Sequence, residues 1–583
     1  MKKITFRFFP LLIPLLLSLL SCSNNYINRK YSSLLLKNIP EISLEKDGTI
    51  TFSYETSYAC KGGTIYFGSP IASQNLDYPH FRISEVETTL MSRKSHKMKA
   101  DLNKVDKKRY DFAQIADDKI IMRTARLCLW HPKSCYERIY DFRFAYKKIS
   151  KNYTRFPCFK EGPFVSNVLA DSAVIWWRSD LPSDGILEFN NIASSAVFKD
   201  SMFQVKVNNL LQQSGNRYRA GLISGNDTLW SRYFEFTSPP KADSNIPVKF
   251  VYMSDSRSGS GGGGRTYNGV NHRTLKSLCI EISKHKPDFV LFGGDVVDGS
   301  TPDPVDLKLQ LRSWKFAVEP LMHYMPFYIG IGNHEWVTRP IKNKKKRGEY
   351  LFLPATGENS SETIFAGEFV NPANGPVQIK KDYPPYSELI FSFDYGNCHF
   401  VSLNSDYFRK SNSPQLKDSM GIIGGKILTV QLDWLDNDLA YARENKAEHI
   451  IIFSHEPIFP CGGHADDGMW HKGNNDDINK MRERFLDIIT RYKTAAYLCG
   501  HEHNYSRMLI DSTFDSYVHY PFWQIISGGA GAPFYAQDHD TPWASKIAFF
   551  KAIHHFCLLS VNGSKIELKV IDETGCVVEE CFL

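Results

Sequence analysis

Three observations from the sequence predict β-sandwich regions followed by an α/β domain. The chain has 583 residues, several times the roughly 100–200 residues of a typical domain, so we expect several domains. Short alternating strands separated by Gly, Pro, Asp and Ser run from Ile42 to Pro240, a pattern typical of β-sandwiches. After Pro247, strands alternate with helices, which indicates an α/β domain.

The composition is that of a globular chain. Apolar residues make up 42% and charged residues 23% of it, which excludes a disordered, collagen-like or polytopic membrane protein. The formal net charge of +7 is small for 583 residues. We therefore expect no nucleic-acid-binding function.

The start of the chain is predicted to be a secretion signal. A basic segment, Met1-Lys2-Lys3, precedes an apolar run from Phe8 to Leu20, which is shorter than the ~20 residues of a membrane span. The run ends in Leu-Leu-Ser before Cys22 and resembles the lipobox of bacterial lipoproteins. This resemblance implies that residues 1–21 are removed and that Cys22 is lipidated, which would anchor the protein to a membrane of the cell envelope, on its periplasmic or surface face. A plain signal peptide is the alternative.

Export implies an oxidising compartment, where disulfides form. The chain has 12 cysteines. We expect some disulfides among those other than Cys22, without a fixed connectivity; the candidates are Cys60, Cys128, Cys135, Cys158, Cys576 and Cys581.

Residues 40–155 and 156–240 are predicted to be two β-sandwich domains ahead of the α/β domain, residues 246–583. Ile50–Tyr54 and the strand after it are echoed by Ala173–Trp177 and the strand that follows. The echo is either a weak tandem repeat or a chance similarity between β-rich segments.

The α/β domain is predicted from apolar runs of strand length that alternate with helical spacing. The basic stretch Lys342–Arg347 falls in a long insertion and is predicted to be a solvated loop. The expected strands are Val248–Met253, Asp288–Phe292, Phe327–Ile331, Leu389–Phe393, His399–Leu403, His449–Phe453 and Ala495–Leu498, and the expected helices are Thr274–His285, Leu307–Met322, Leu428–Arg443 and Ile478–Tyr492.

Polar clusters follow five of these strands directly. Ligand sites of α/β sheets form beyond the carboxyl ends of the strands, so the clusters are expected to converge on one point. A set of Asp, Asn and His suits first-row metal ions, whereas no Ser or Cys lies in a nucleophile-elbow pattern. A lone His would be interpreted as an ordinary loop residue, but five coincident clusters favour a metal site. The candidate ligands are Asp255, Asp295, Asn333, His455, His501 and His503.

The ordered motifs resemble those of the calcineurin-like metallophosphoesterases, and among them the purple acid phosphatase branch. They are Asp255, then Gly-Asp295, then Gly-Asn333-His-Glu, then His455, then Gly-His501-x-His503. The resemblance implies a domain with a β-sandwich core flanked by helices. A fibronectin-III-type domain precedes this domain in the branch, and the stretch Phe164–Pro239 looks like it, whereas the first sandwich matches no motif.

The resemblance also implies roles. Asp295 would bridge two metal ions, identified only as iron, zinc or manganese, with Asp255 and His503 completing one site and Asn333, His455 and His501 the other. Such a pair clamps a phosphate and supplies an activated water for in-line attack. His334 would stabilise or protonate the leaving group.

Two positions depart from the family pattern. Many members have a His ligand at the position of Arg257, which would either fill the vacancy with fixed positive charge or contact substrate phosphate. Purple acid phosphatases have a metal-binding Tyr at the position of Asp298, which would either bind metal or pair with His334. His464 and His471 lie in a Gly-rich loop, and either could reach substrate or remain an exposed loop residue.

The predicted function is hydrolysis of phosphate monoesters, with a phosphorylated small molecule or polymer as substrate. Monoesters are favoured on the resemblance alone. Two alternatives stay open: a phosphodiesterase of the same fold, and a non-catalytic surface lipoprotein with a vestigial metal domain.

Overall fold

The computed structural model describes residues 35–68, 78–79, 81–107, 119–130, 137–199, 201–241, 246–258, 267–378 and 382–583. The predicted signal with Cys22, and also Cys135, lie outside the described residues. Among the helices of the described parts, none has both the length and the apolarity needed to span a membrane.

The first region forms one hydrogen-bonded sheet with strand order β1-β2-β4-β5-β6 and β3 paired to β2. Its strands are β1 (Glu41–Leu44), β2 (Thr49–Gly68), β3 (Phe81–Asp101), β4 (Ile120–Trp130), β5 (Glu137–Ile149) and β6 (Asn152–Phe156), and a short helix, α1 (Leu102–Lys107), follows β3. The pairing of β2 with β3 shifts register between Glu55 and Gly62. The rings of Phe52 and Phe67, from the two halves of β2, lie 6.0 Å apart, so the sheet folds back over one core.

The second region is a sandwich of two sheets, with strand orders β11-β12-β8-β7 and β10-β9-β13-β14, and β15 pairs with β13. Trp177, Leu187 and Tyr218 fill the space between the sheets and are fully buried. The strands are β7 (Phe159–Ser166), β8 (Ser172–Ser179), β9 (Asp184–Phe189), β10 (Ile192–Ser195), β11 (Val197–Lys199), β12 (Met202–Asn208), β13 (Gly215–Ser224), β14 (Asp227–Trp230) and β15 (Phe234–Thr237).

The third region contains two facing sheets, which confirms the predicted metallophosphoesterase fold class. Their orders are β18-β17-β16-β28-β29-β30 and β21-β22-β23-β24-β26-β25-β27, and aromatic side chains such as Phe250, Phe289 and Phe400 pack between them. The strands of the first sheet are β16 (Val248–Met253), β17 (Phe289–Phe292), β18 (Phe327–Ile329), β28 (His555–Asn562), β29 (Lys565–Asp572) and β30 (Val577–Phe582). Those of the second are β21 (Phe391–Tyr395), β22 (Cys398–Ser402), β23 (His449–Phe453), β24 (Ala496–Cys499), β25 (Tyr505–Ile510), β26 (Phe522–Ser527) and β27 (Phe549–Lys551).

Helices cover the outer faces of these sheets, and their starts are fixed by side-chain caps. The Asn271 side chain accepts from the Thr274 amide at the start of α2, and Asp303 accepts from Val305 just before α3, which satisfies otherwise unpaired amides. The helices are α2 (His272–His285), α3 (Pro304–Met322), α4 (Ser361–Ala366), α5 (Thr429–Glu444) and α6 (Asp476–Arg491).

The basic stretch Lys342–Arg347 is the largely exposed connection of a hairpin, β19 (Thr338–Lys342) with β20 (Tyr350–Pro354), in which Ile341 pairs with Leu351. The predicted solvated loop is confirmed except at Lys342, the last residue of β19. The expectation of disulfides is wrong for the described residues, where no disulfide joins two cysteines. Cys60, Cys128 and Cys158 are buried among core side chains, and Cys576 lies on an exposed turn.

A buried group of charges, which we call the interface cluster, joins the second region to α3. It consists of Glu161 and Arg178 from the sandwich, Lys315 from α3 and Glu368 just after α4. Lys315 Nζ lies 2.5 Å from Glu161 Oε2 and 2.7 Å from Glu368 Oε2. Arg178 Nη1 donates to Glu368 Oε1 at 3.2 Å. Each carboxylate therefore has a cationic partner.

Candidate metal centre

The predicted ligands stand where strands end, on a backbone that turns sharply. Asp255 follows β16, Asp295 follows β17 and His501 follows β24, with φ angles of 64°, 51° and 66°. This left-handed conformation is uncommon for residues other than glycine and often marks functional sites. Position 332 also requires glycine, because an added Cβ there would lie 2.4 Å from Oδ1 of the candidate ligand Asp295.

Three side chains meet Asp295 on one side of the centre, which we call the Asn333 half: Asn333, His455 and His501. His455 Nε2 lies 2.9 Å from Asn333 Oδ1 and 3.2 Å from Asp295 Oδ1. His501 Nδ1 lies 3.2 Å from the same amide oxygen and 3.3 Å from His455 Nε2. Four potential ligand atoms thus converge.

The Asn333 half is surrounded by acceptors. His455 Nδ1 lies 3.0 Å from the Gly293 carbonyl, which can only accept, so the neutral ring carries its proton there and directs the Nε2 lone pair into the centre. Turning the Asn333 amide would bring its nitrogen to this lone pair and to Asp295, and its oxygen to Arg409. In the present orientation the amide oxygen faces only acceptors, and a cation among these atoms would satisfy them, so the residues fit a cation.

The opposite side, which we call the His503 half, consists of Asp255, Asp295 and His503, whose ligand atoms lie within 4.8 Å of one another. His503 Nδ1 lies 2.6 Å from the Pro533 carbonyl, so Nε2 again carries the lone pair. That atom is 3.5 Å from Asp255 Oδ1, a buried oxygen with no hydrogen-bond partner. The donor set also fits a cation.

Arg257 reaches into the His503 half. Its Nη2 lies 3.3 Å from His503 Nε2, and its Nε lies 3.7 Å from Asp295 Oδ2. The guanidinium therefore faces two of the three candidate ligands of this half.

Burial sets the protonation states of the ligands. Desolvation lowers the pKa of His501 to about 3 and that of His503 to about 4, so both rings are neutral near pH 7, as metal ligands must be. Desolvation and the nearby Asp255 carboxylate raise the pKa of Asp295 well above its usual value. Two carboxylates in a buried site repel each other, and a cation relieves that repulsion.

Glu335, to which the sequence assigned no role, links the loop of Asp295 to the loop of Gly332 by hydrogen bonds. Its carboxylate accepts from the amides of Asp295, Val297 and Gly332 at 2.9, 3.0 and 2.8 Å. Burial, followed by the Asp295 charge, raises its pKa to about 8. The signal in the sequence that could have pointed to Glu335 was its place in the Gly-Asn-His-Glu motif.

His334 lies beside Asp298, and the shorter of their two contacts is with the main chain of Asp298. His334 Nδ1 lies 2.9 Å from the Asp298 carbonyl oxygen and 3.9 Å from its side-chain Oδ1. His334 Nε2 lies 3.9 Å from Asp295 Oδ2, so this nitrogen faces the centre.

Further residues form the rim of the centre. The His464 ring is 3.8 Å from that of His501, and His464 Nδ1 is 3.1 Å from Asp467 Oδ1; Asp467 was missed, although its spacing of three from His464 is visible in the sequence. Tyr535, also missed, stacks on His503 at 4.1 Å, a contact that only the tertiary structure creates. His471 lines a cavity of about 250 Å³ beside the centre.

Comparison with known proteins agrees with this architecture. A family model described as calcineurin-like phosphoesterase matches residues 266–505. The serine/threonine-protein phosphatase CPPED1 of Rattus norvegicus is 30% identical over 272 residues, which are 46% of this chain and 71% of that protein. The chain belongs to the calcineurin-like phosphoesterase family.

Purple acid phosphatases are similar to the present protein in sequence and fold. Fe(3+)-Zn(2+) purple acid phosphatase 12 of Arabidopsis thaliana is 23% identical over 278 residues, 48% of this chain and 47% of that enzyme, so the chain spans about half the length of this relative. The structure of purple acid phosphatase PPD1 from yellow lupin (Lupinus luteus) seeds superposes with a TM-score of 0.55 at 13% identity and covers 92% of each chain. That fold match extends into the first sheet, for which no motif gave a counterpart.

Proposed function

We propose that this protein is an exported phosphoesterase that hydrolyses phosphate monoesters at a centre of two metal ions. The observation that carries the proposal is the convergence of acceptor atoms in the Asn333 and His503 halves, joined by Asp295. Similarity to purple acid phosphatases supports the reaction class, and the preference for monoesters rests on that resemblance. The substrate is a phosphorylated small molecule or polymer.

Six side chains would hold the ions, which we expect to be iron, zinc or manganese. Asp295 would contribute to both, Asp255 and His503 to one, and Asn333, His455 and His501 to the other. When bound, such ions neutralise phosphate charge and lower the pKa of bound water to roughly 7. Glu335 keeps the loop of Asp295 in place through its three amide contacts.

His334 would handle the proton of the leaving group. The Asp298 carbonyl accepts the Nδ1 proton at 2.9 Å, which fixes the ring and turns Nε2 towards the centre. In the doubly protonated ring, the Nε2 proton can pass to the departing oxygen, and the neutral ring that remains keeps its Nδ1–H hydrogen-bonded to the Asp298 carbonyl. The role requires no contact between His334 and a metal ion.

Hydrolysis of p-nitrophenyl phosphate and bis-p-nitrophenyl phosphate by the purified protein, with zinc, manganese and iron supplied separately, tests the proposal. We expect kcat/KM to be higher for the monoester, and Asp295→Ala to abolish the reaction. Faster diester cleavage would make the protein a phosphodiesterase. Absence of hydrolysis with every metal would favour the non-catalytic alternative.

We also propose that the protein is lipid-anchored to a membrane of the cell envelope through Cys22. The support is the sequence alone, an apolar run that ends in a lipobox-like motif. In bacteria that express the full chain, labelled palmitate should enter the protein, and the protein should fractionate with membranes. Cys22→Ser should block both effects. Release of the unsubstituted protein as soluble periplasmic protein would instead indicate a plain signal peptide.

A further inference from the structure

Arg257 gives the two halves of the centre different electrostatic surroundings. Its guanidinium is permanently charged and faces His503 Nε2 at 3.3 Å and Asp295 Oδ2 at 3.7 Å. These are two of the three atoms that would hold a metal ion in the His503 half. The residue is 9% exposed, so solvent screens this charge only weakly.

On the side of the Asn333 half, the nearby arginine is Arg409. Its Nη1 lies 3.3 Å from the main-chain oxygen of Asn333 and 2.6 Å from the outer end of the Asn333 side-chain amide, but among the described residues it has no hydrogen bond or ion pair with His455, His501 or Asp295. Its Nε is instead 3.8 Å from Asp406 Oδ1. The ligand nitrogens of His455 and His501 face Asn333 and Asp295.

We propose that Arg257 competes with metal for the His503 half, so that the two halves bind metal with unequal affinity and the Asn333 half fills first. A metal ion that reaches His503 Nε2 must displace the guanidinium from the atoms it now faces, because two cations cannot share the same lone pair and carboxylate oxygen. Arg257 thus stands in for the second cation when metal is scarce and is a positioning residue for the centre. This inference rests on the proposed two-ion centre.

Titration of the metal-free protein with Zn²⁺ by calorimetry measures the two affinities directly. For the unsubstituted protein we expect two binding events that differ by at least about tenfold in Kd, since like charges a few ångströms apart are strongly repulsive in a buried site. Arg257→Ala should tighten the weaker event, and Arg257→His, which adds an imidazole ligand, should tighten it further. Asn333→Ala should remove the tighter event.

Arg409→Ala is the matched control, because it removes the same charge from the other side of the centre. It should leave the gap between the two Kd values unchanged or widen it, whereas Arg257→Ala narrows it. Thermal unfolding of each metal-free variant verifies that the protein titrated is folded.

Two equal binding events in the unsubstituted protein would overturn the inference. It would also be overturned if the weaker event were unaffected by Arg257→Ala and Arg257→His. Failure of the proposed function looks different, because p-nitrophenyl phosphate would then remain intact at metal concentrations that saturate both sites. Equal affinities together with rapid hydrolysis would refute the role of Arg257 and would still support the proposed phosphoesterase activity.

Discussion

The candidate metal centre and the interface cluster are both buried groups of charged side chains, but their charges are balanced in different ways. In the interface cluster, Lys315 lies between the carboxylates of Glu161 and Glu368 at 2.5 and 2.7 Å. In the candidate metal centre, Asp255 and Asp295 face imidazoles, and Arg257 supplies the cationic contact at 3.7 Å from Asp295. The first group is neutralised by the chain, whereas the second has room for added positive charge.

The pKa values of Glu161 and Asp295 follow the same division. Burial alone would raise the pKa of Glu161, but the charges of Lys315 and Arg178 outweigh it and lower that pKa to about 2. Burial and Asp255 instead raise the pKa of Asp295 well above its usual value. Burial of a charged residue is therefore not by itself a sign of function. The balance of charge around it is the informative property.

The largest expected effect is that of Asp295→Ala. Because Asp295 belongs to both halves, we expect both ions to be lost and turnover of p-nitrophenyl phosphate to fall by roughly 10⁴-fold or more. Asn333→Ala should empty mainly one site. Bound metal per chain, measured together with turnover, checks both variants. Near-normal turnover in Asp295→Ala would refute the two-ion centre.

His334→Ala should leave bound metal nearly intact and lower kcat by about 10²–10⁴-fold, the usual share of general acid–base catalysis. The loss should be smaller for p-nitrophenyl phosphate than for an alkyl phosphate, because nitrophenolate hardly needs a proton to leave. Steady-state kinetics with both esters tests this. Equal losses would argue against a role in leaving-group protonation.

The variant Lys315→Ala tests the interface cluster. Removing one partner of a buried ion pair leaves an uncompensated charge and costs about 3–5 kcal/mol of unfolding free energy. Denaturant unfolding measures the loss, and activity per folded molecule at low denaturant should stay normal. If bound metal fell as sharply as stability, the interface cluster would not be independent of the metal centre.

Glu161 should make stability depend on acid pH. Its folded pKa of about 2 lies below the usual 4.5, so the stabilisation is complete above pH 4.5 and is lost as pH falls towards 2. Glu161→Gln should be less stable than the unsubstituted protein at pH 7, and the difference should shrink on acidification. Urea unfolding between pH 7 and pH 3 follows this difference. A constant difference over that range would contradict the ion pairing.

Strand-end motifs were the part of the site that the sequence could reveal. Val248–Met253 and His449–Phe453 are strands with the predicted bounds, because these mainly apolar runs end there at polar residues. Parallel pairing of β16 with β17 and of β23 with β24 then brings Asp255 next to Asp295, and His455 next to His501, at the carboxyl ends of the two facing sheets. That convergence follows from local pattern and a general rule of sheet topology.

Contacts between distant segments could not be predicted in the same way. The stacking of Tyr535 on His503 and the approach of Arg257 to His503 span 32 and 246 residues of sequence. The fold-back of the first sheet depends on a register shift near Cys60, for which local hydrophobic alternation gives no signal. The hydrogen bond from His334 to the Asp298 carbonyl uses a main-chain atom, which residue identity cannot reveal.

The most direct test of the central claim is to remove metal from the purified protein and then restore it. Hydrolysis of p-nitrophenyl phosphate and bound metal per chain would be followed together as zinc, manganese or iron is added back. We expect the metal-depleted protein to be folded and inactive, with activity rising as metal binds and no recovery in Asp295→Ala. Full turnover by protein that contains no metal would contradict the account.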